Sequence, residues 1–186
     1  MTEFQVRTAA LEEARKIREL VLSRITTRAF AQSTGFLEYE LPSVQEYSTR
    51  LQKGIFFVAH TLHSSNIVGL VDSYASDSLG ELFAHNNLVK NLSSTFPTPV
   101  SNPFIYINTV ATARGYERQR IASALISQIT RVAAQVNQDV ATVIVHKPQR
   151  NIGSIALFSS LGFSQVCEKE AFGDFTFGIY TKLHQP

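Results

Sequence analysis

The sequence predicts an α/β protein with a mixed central sheet of six to seven strands, flanked by about four helices. Three observations carry that expectation. Apolar, β-branched runs alternate with segments whose apolar residues recur at helical spacing, in the order β-α-α-β-β, insertion, β-α-β-α-β-β. After Pro103 a strand, a helix and a second strand follow within about 40 residues, the span of a right-handed crossover that pairs its strands in parallel. No internal repeat, low-complexity tract or linker interrupts the 186 residues, which suit one domain over 1–186 with an insertion at about 75–103, before the fourth strand.

Composition narrows the class. Apolar residues make up 44% and charged residues 17%, ordinary for a soluble domain. No run approaches the roughly 18 apolar residues of a membrane helix, and Met1-Thr2-Glu3-Phe4 lacks a signal-peptide pattern. No membrane partner is expected. A single cysteine, Cys167, rules out an internal disulfide framework and a Cys-rich metal site, so no metal is expected. The Glu168-Lys169-Glu170 that follows it supplies no nucleophilic constellation; a half-buried strand cysteine in a reducing, cytoplasmic setting is expected. A net charge of +2 is too small to argue for nucleic acid.

Phe4-Gln5-Val6-Arg7 alternates and reads as a first strand. Thr8 is placed to cap the next helix, with Glu12 and Glu13 in its first turn and Leu11, Ala14, Ile17 and Val21 on one face. Arg15, Lys16 and Arg18 fall where the helix dipole favours cations. Residues 26–41 are polar and aromatic without a period and read as a surface loop. Ser43-Val44-Gln45-Glu46 is a capping-box pattern that opens a short helix, with Val44, Tyr47 and Leu51 inward and Gly54 at its stop. Residues 55–60 and 67–74 form a hairpin across the turn Ser64-Ser65-Asn66. In the insertion, Leu79, Leu82 and Phe83, then Leu88, Val89 and Leu92, stand at helical spacing before the breaker-rich residues 96–103. A segment of that length suits a binding loop or lid, or a plain surface insertion. Residues 140–145 are a second buried strand. Residues 151–161 form a short helix with Ile155, Leu157, Phe158 and Leu161 apolar, stopped by Gly162. Residues 163–168 and 175–183 close the chain as a hairpin around Gly173-Asp174.

The chain is organised around residues 104–126. Phe104-Ile105-Tyr106-Ile107-Asn108-Thr109-Val110 is apolar and β-branched enough for a buried strand. It passes through a basic turn and leaves as a helix with Ile121, Leu125, Ile129, Val132 and Val136 on one face. A strand feeding a helix through a short loop aims unpaired backbone N–H groups at one point, a ready anion site. Arg114, Arg118 and Arg120 crowd around that point, so the stretch is expected to hold a phosphate-bearing cofactor. Solvated arginines at a helix start are the alternative.

Asn151-x-x-Ser154-Ile155-x-Leu157-Phe158-x-x-Leu161-Gly162-Phe163 matches in spacing the pattern Asn-x-x-Ala-Ile-x-Leu-Tyr-x-x-Leu-Gly-Phe, with Phe158 in the tyrosine's place. That pattern belongs to the GNAT superfamily of acyl-CoA-dependent N-acetyltransferases, which the chain resembles. Residues 117–122 resemble the family's pyrophosphate loop, Gln/Arg-x-x-Gly-x-Gly/Ala; Glu117 takes the first place, Arg120 that of the first glycine and Ala122 the last. Val6-Arg7-Thr8-Ala9 and its acid-started helix are similar to the family's N-terminal strand and helix.

The resemblance implies a GNAT fold, acetyl-CoA as acyl donor and direct attack by an acceptor amine. It implies cofactor binding by Val110, Ala111 and Thr112 on the strand end, and by Arg118, Gln119, Arg120, Ile121, Ala122 and Ser123 in the loop and first turn. Asn151, Ser154 and Phe158 are implied in the short helix. Acetyl transfer needs a neutral amine, a donor for the thioester oxygen and a proton or positive field for the leaving thiolate. Asn108, Tyr106 and Asp72 are the catalytic candidates. Tyr116 and Tyr74 are further donors, Glu81 a further base, and His146 lies at a strand end; Glu38, Tyr39 and Glu40 suit a cationic acceptor. Each also has a plain reading as a core, loop or solvated residue. Three residues depart from the pattern in ways that matter. Arg120 replaces a glycine where a side chain could obstruct backbone approach to phosphate, or swing out and pair with it. Glu117 would repel a pyrophosphate unless an arginine neutralises it, and Phe158 cannot protonate a thiolate. The alternative left open is a non-catalytic acyl-CoA-binding sensor or interaction module. The acceptor and a homodimer through the C-terminal strands also stay open.

Overall fold

Hydrophobic period decides each element, and the strands fall where the alternating and β-branched runs lie. The computed structural model describes residues 3–26, 36–37, 41–62, 66–96 and 103–184. In chain order the elements are β1 (Phe4–Thr8), α1 (Ala14–Ser23), β2 (Ile25–Thr26), β3 (Phe36–Leu37), α2 (Val44–Lys53), β4 (Ile55–Thr61) and β5 (Ile67–Ala75). There follow α3 (Leu79–Leu82), α4 (Asn87–Lys90), β6 (Ile105–Thr112), α5 (Ile121–Gln135), β7 (Val140–Lys147), α6 (Ile152–Ser160), β8 (Ser164–Ala171) and β9 (Phe175–Lys182). One sheet holds seven strands in the order β1-β4-β5-β6-β7-β9-β8, a mixed α/β architecture of the predicted class. The four expected helices are α1, α2, α5 and α6. The insertion adds α3 and α4, four residues each, where Leu79, Leu88 and Val89 are buried at the predicted spacing.

The chain divides into two compact units. The first comprises Met1–Ala31, Gly35–Ser73 and Thr109–Ile129. Here β1 lies antiparallel on β4, from Phe4 opposite Thr61 to Thr8 opposite Phe57, and β4 lies antiparallel on β5. Helix α1 buries Ala14, Ile17, Leu20 and Val21. Two expectations at its start are corrected. Thr8 is the last residue of β1 rather than a cap. The turn is instead held by Glu13, whose carboxylate accepts from the Ala10 N–H at 2.8 Å and from the two terminal guanidinium nitrogens of Arg7, Nη2 at 2.7 Å and Nη1 at 2.8 Å. Leu11, expected inward, belongs to a 3-10 turn ahead of the helix and is exposed. The Ser43–Glu46 capping box forms as read, with Ser43 N–H donating to the Glu46 carboxylate and Glu46 N–H to Ser43 Oγ. Within the segment read as a surface loop, β2 and β3 form a short parallel pair, Ile25 with Phe36 and Thr26 with Leu37. The turn residues Ser64 and Ser65 lie outside the described residues, as do Glu38, Tyr39 and Glu40.

The second unit comprises Gln32–Thr34, Tyr74–Asn108 and Thr130–Pro186. The crossover produces the predicted parallel pair. Ile105, Tyr106 and Ile107 of β6 lie opposite Val140, Ala141 and Thr142 of β7, and the register ends there although both strands run on. Thr142 Oγ1 donates to the Ile107 carbonyl at 3.0 Å, sealing that end of the ladder. The other side of β7 takes β9 antiparallel, and β8 lies outside β9. At the hairpin tip the positive φ angles fall on Phe172 (56°) and Gly173 (76°), one residue earlier than the expected Gly173-Asp174 turn. Val136, expected on the buried face of α5, lies past the helix end and is 53% exposed.

Candidate functional site

In the first unit, β6 ends at Thr112 and the chain reverses before α5. Ala113 N–H donates to the Val68 carbonyl at 2.9 Å, and Tyr116 N–H closes a turn on the Ala113 carbonyl. Gly115 has φ +84°, Arg118 +60° and Arg120 +66°, whereas Gln119 between the two arginines stays on the ordinary side. Residues of alternate hand point successive N–H groups to one side, the geometry of an anion nest. Helix α5 follows at once. The N–H groups of its first turn, Ile121, Ala122 and Ser123, precede the first i→i−4 bond, Ala124 N–H to the Arg120 carbonyl. The guanidiniums of Arg118 and Arg120 are exposed.

The left-handed φ of Arg120 resolves the first departure from the loop pattern. The backbone adopts the conformation that glycine favours, and the arginine tolerates it at a cost of about 1–2 kcal/mol. The Arg120 side chain is exposed.

Glu117 resolves the second. Its Oε1 accepts from Arg24 Nη1 at 2.8 Å and its Oε2 from the Gly115 N–H at 2.7 Å. Burial pushes the carboxyl up, but N–H bonds from its own backbone and from Gly115, with the Arg24 guanidinium, outweigh that and hold it below the usual carboxylate range. The neutralising arginine comes from the C-terminal end of α1, 93 residues away in sequence. Gln119 completes the loop by donating from Nε2 to the Gly115 carbonyl at 3.2 Å.

A glycine on β5 seats the helix behind this loop. A Cβ at Gly69 would run into Ile121 Cγ2 and stand 3.0 Å from Leu125 Cδ1 and 3.3 Å from Ala59 Cβ. Ile121 and Leu125 are 1% and 0% exposed, so neither can move aside freely. Gly69 thus sets how closely the first turn of α5 lies against β5. Asp72, further along β5 opposite Phe56, is 1% exposed.

The other candidates lie in the second unit. Tyr106 is 3% exposed and meets the edge of Phe83 at 6.0 Å, and Phe83 in turn meets Tyr74 at 5.1 Å. Asn108 is half-buried on β6, Glu81 is exposed on α3, and in the first unit Tyr116 is half-buried in the loop. Asn151 caps α6, its side chain accepting from Ser154 N–H at 3.0 Å while its own N–H donates to the Val145 carbonyl. Phe158 is buried, with its ring edge-on to Phe163 at 5.0 Å. His146 occupies a bulge of β7 between Val145 and Lys147. Its Nδ1 lies 2.6 Å from Glu168 Oε1 and its Nε2 lies 3.0 Å from Tyr180 Oη, so it is part of a closed polar cluster on the β7-β9-β8 face rather than a loop residue. The hydrogen bond with His146 holds the Glu168 carboxyl down. A Cβ at Gly178 would collide with the His146 ring, which explains the glycine there.

The model of the GNAT acetyltransferase family matches residues 18–163, well over half of the chain. The chain belongs to the GNAT acetyltransferase family. Family membership makes it a transferase. Solved GNAT folds superpose over nearly all of it. NAA60 of Arabidopsis thaliana in complex with a bisubstrate analogue gives a TM-score of 0.66 at 14% identity, covering 96% of this chain and 97% of that one. The same enzyme in complex with acetyl-CoA gives 0.65 at 16% identity over 96% and 97%. The ribosomal-protein-S18-alanine N-acetyltransferase of Escherichia coli gives 0.63 at 11% identity over 96% and 92%. At such identities the likeness establishes the shared GNAT fold. Comparison with curated protein sequences yields no significant match. Among the described residues no helix is long and apolar enough to cross a membrane, and no group of His, Cys, Asp and Glu is arranged to hold a metal ion.

Two functional residues were missed by sequence reasoning. Gly69 carries no pattern, since its importance is the absence of a side chain opposite a helix 52 positions on, the interval from Gly69 to Ile121. Arg24 caps the C-terminal end of α1 and carries no sequence pattern that points to residue 117. The signal available was Glu117 itself, an acid where the loop pattern wants an amide or a cation.

Proposed function

We propose that this GNAT acetyltransferase moves an acetyl group from acetyl-CoA to a primary amine by direct attack of the amine. The observation that carries the reading is the loop at 113–121, where alternating left-handed residues and the first turn of α5 present N–H groups beside two exposed guanidiniums. That donor set fits a diphosphate. Arg118 and Arg120 add charge-assisted contacts, Gln119, Ile121, Ala122 and Ser123 add backbone N–H groups, and Val110, Ala111 and Thr112 offer strand-edge backbone to an amide-bearing arm. Asn151, Ser154 and Phe158 of the family motif are assigned to the donor as well, through the backbone that the Asn151 cap fixes and through apolar packing. The solved relative with acetyl-CoA supports the choice of donor.

Acetyl-CoA supplies an acetyl group activated as a thioester. In the second unit Asn108 orients the acceptor nitrogen as the N–C bond forms, and Tyr106 protonates the sulfur as the C–S bond breaks; Asp72, in the first unit, is kept as a separate candidate for the proton that the nitrogen sheds. Asp72 and Tyr106 are both closed to bulk water, where such contacts are strong. Two of the three features that argue for a non-catalytic module lose force, since Arg120 already has a glycine-like backbone and Glu117 is neutralised by Arg24, whereas Phe158 leaves the acid's role to another residue. A lone half-buried cysteine suits a cytoplasmic setting, and pairing of two copies through the C-terminal strands is a proposal that sedimentation would test.

Thiol release from acetyl-CoA, followed with polyamines, aminoglycosides, amino acids and peptides bearing free N-termini, tests the reading. Amine-dependent release with at least one class is the expected result. Binding of acetyl-CoA with no release on any class would overturn the catalytic assignment.

A further inference from the structure

We propose that Arg24 is a positioning residue for the diphosphate loop and acts through Glu117. Its consequence for activity rests on the acetyl-CoA reading, whereas its consequence for loop conformation does not. Three residues of the stretch 115–120 are in the left-handed region, and two of them are arginines that pay for it in backbone strain. Such conformations persist only where the surroundings over-determine them. The restraint here is Glu117, placed between Gly115 and Arg118. One carboxylate oxygen holds the Gly115 N–H, and the other is held by Arg24. The Gly115 carbonyl is taken by Gln119, so the loop is tied at both its backbone groups there.

The pair is well placed to act as an anchor. The Arg24 side chain is 10% exposed and that of Glu117 35%, so the arginine comes from the packed side and the acid from the loop side. Arg24 also sits at the carbonyl end of α1, where a cation is favoured. Charge matters as much as geometry. Glu117 is the single carboxylate in the sequence between Glu81 and Asp139, and it stands among Arg114, Arg118 and Arg120. Left uncompensated it would subtract from the field those arginines offer an incoming anion. With Arg24 bound to it, the loop keeps an acid for its hydrogen bonds while the acid's charge is cancelled. Arg24 therefore does two things for the phosphate site without touching the phosphate: it fixes the loop's shape and restores its positive field.

The test uses Arg24→Met, Arg24→Lys and the double variant Arg24→Met/Glu117→Gln in the full chain. Amide hydrogen exchange over residues 113–121 of the ligand-free protein should speed up at least tenfold in Arg24→Met and recover partly in Arg24→Lys, which restores the charge but not the planar fork. Kinetics with two donors supply the second readout. Arg24→Met should raise KM for acetyl-CoA about tenfold, the scale on which a residue with no ligand contact modulates a site through its neighbours. It should leave kcat, and KM for acetyl-pantetheine, which has no diphosphate, unchanged. The double variant should regain part of the acetyl-CoA affinity, because the uncompensated carboxylate is gone. Unchanged exchange in Arg24→Met overturns the proposal, as does an equal loss with both donors. Faster exchange in a protein that does not use acetyl-CoA at all would uphold the loop anchor and remove the acetyl-CoA reading instead. Should Arg24→Met fail to fold, Arg24→Lys carries the same comparison, and wild-type exchange and KM in Arg24→Lys would overturn the role of the fork.

Discussion

Gly69→Ala is the smallest change that should disturb the anion site from behind. One methyl is added where Ile121 Cγ2 already occupies the space, with Leu125 Cδ1 at 3.0 Å and Ala59 Cβ at 3.3 Å. Those neighbours are fully buried, so the strain goes into displacing the first turn of α5 from β5. Overpacking of this kind costs about 1–3 kcal/mol. Alanine returns about 0.5–1 kcal/mol through its lower backbone entropy in a strand. Taking the middle of each range leaves a net loss of about 1 kcal/mol, a fall in Tm of about 2–4 °C for a chain of this size. The same displacement moves the N–H groups of Ile121 to Ser123, so affinity for acetyl-CoA should fall along with Tm. Thermal unfolding and calorimetry on Gly69→Ala and on Gly69→Ala/Ile121→Ala measure both, and the double variant should regain part of the affinity because the colliding methyl is gone. A Gly69→Ala protein as stable as the parent, or more so, would refute the reasoning, because it would show that backbone entropy and not contact decides this position.

Other substitutions probe the loop and the helix separately. Arg120→Gly and Arg120→Ala should both weaken acetyl-CoA binding by about 1.5–3 kcal/mol for the lost guanidinium. Arg120→Gly should nevertheless be the more stable of the two by about 1 kcal/mol, since only glycine is unstrained at φ +66°; chemical denaturation checks the order. Phe158→Tyr places a hydroxyl on a ring that is 4% exposed and packed on Phe163. It should cost about 1–3 kcal/mol of stability with no gain in kcat, and a faster enzyme would show that the ring faces the leaving thiolate after all. The pH dependence of stability should reflect Glu13, whose carboxyl the Arg7 hydrogen bond holds down against burial. A depressed folded pKa contributes stability that is complete above the unfolded value of about 4.3 and is lost as pH falls through the folded value. Glu13→Gln should therefore flatten the acid limb of a Tm-versus-pH curve and lower its plateau.

The sheet was legible because its signals are local. Alternation gave β1 and the β4–β5 hairpin, the β-branched runs gave β6 and β7, and the spacing of a crossover gave their parallel pairing. The capping box at Ser43 was equally local, and it formed as read. Errors arose where two local signals competed. Thr8 has good capping chemistry, but pairing with Phe57 keeps it in β1, and Glu13 takes over the turn through a residue the pattern had placed in the helix. The candidate site was legible as a loop and not as a mechanism. Positive charge and a helix start could be read at 114–121, whereas the left-handed arginines carry no local signal, and the seat at Gly69 and the Arg24–Glu117 pair depend on partners 52 and 93 positions away in sequence. His146 shows the same limit. As a residue at the end of an apolar run it suggested an edge position, and only the pairing of β7 with β9 reveals the bulge that turns it onto Glu168 and Tyr180.

The central claim is that residues 113–121 hold the diphosphate of an acyl-CoA donor. Side-by-side calorimetric titration of the wild-type protein with acetyl-CoA and acetyl-pantetheine tests it most directly, because the two ligands share the reactive arm and differ in the phosphorylated nucleotide that carries the diphosphate, whose charge the salt dependence reports. Acetyl-CoA should bind about 100-fold more tightly or better, the sum of a few charge-assisted contacts, and the gap should narrow as salt is raised. Equal affinity for the two, or no binding of acetyl-CoA at millimolar concentration, would contradict the account.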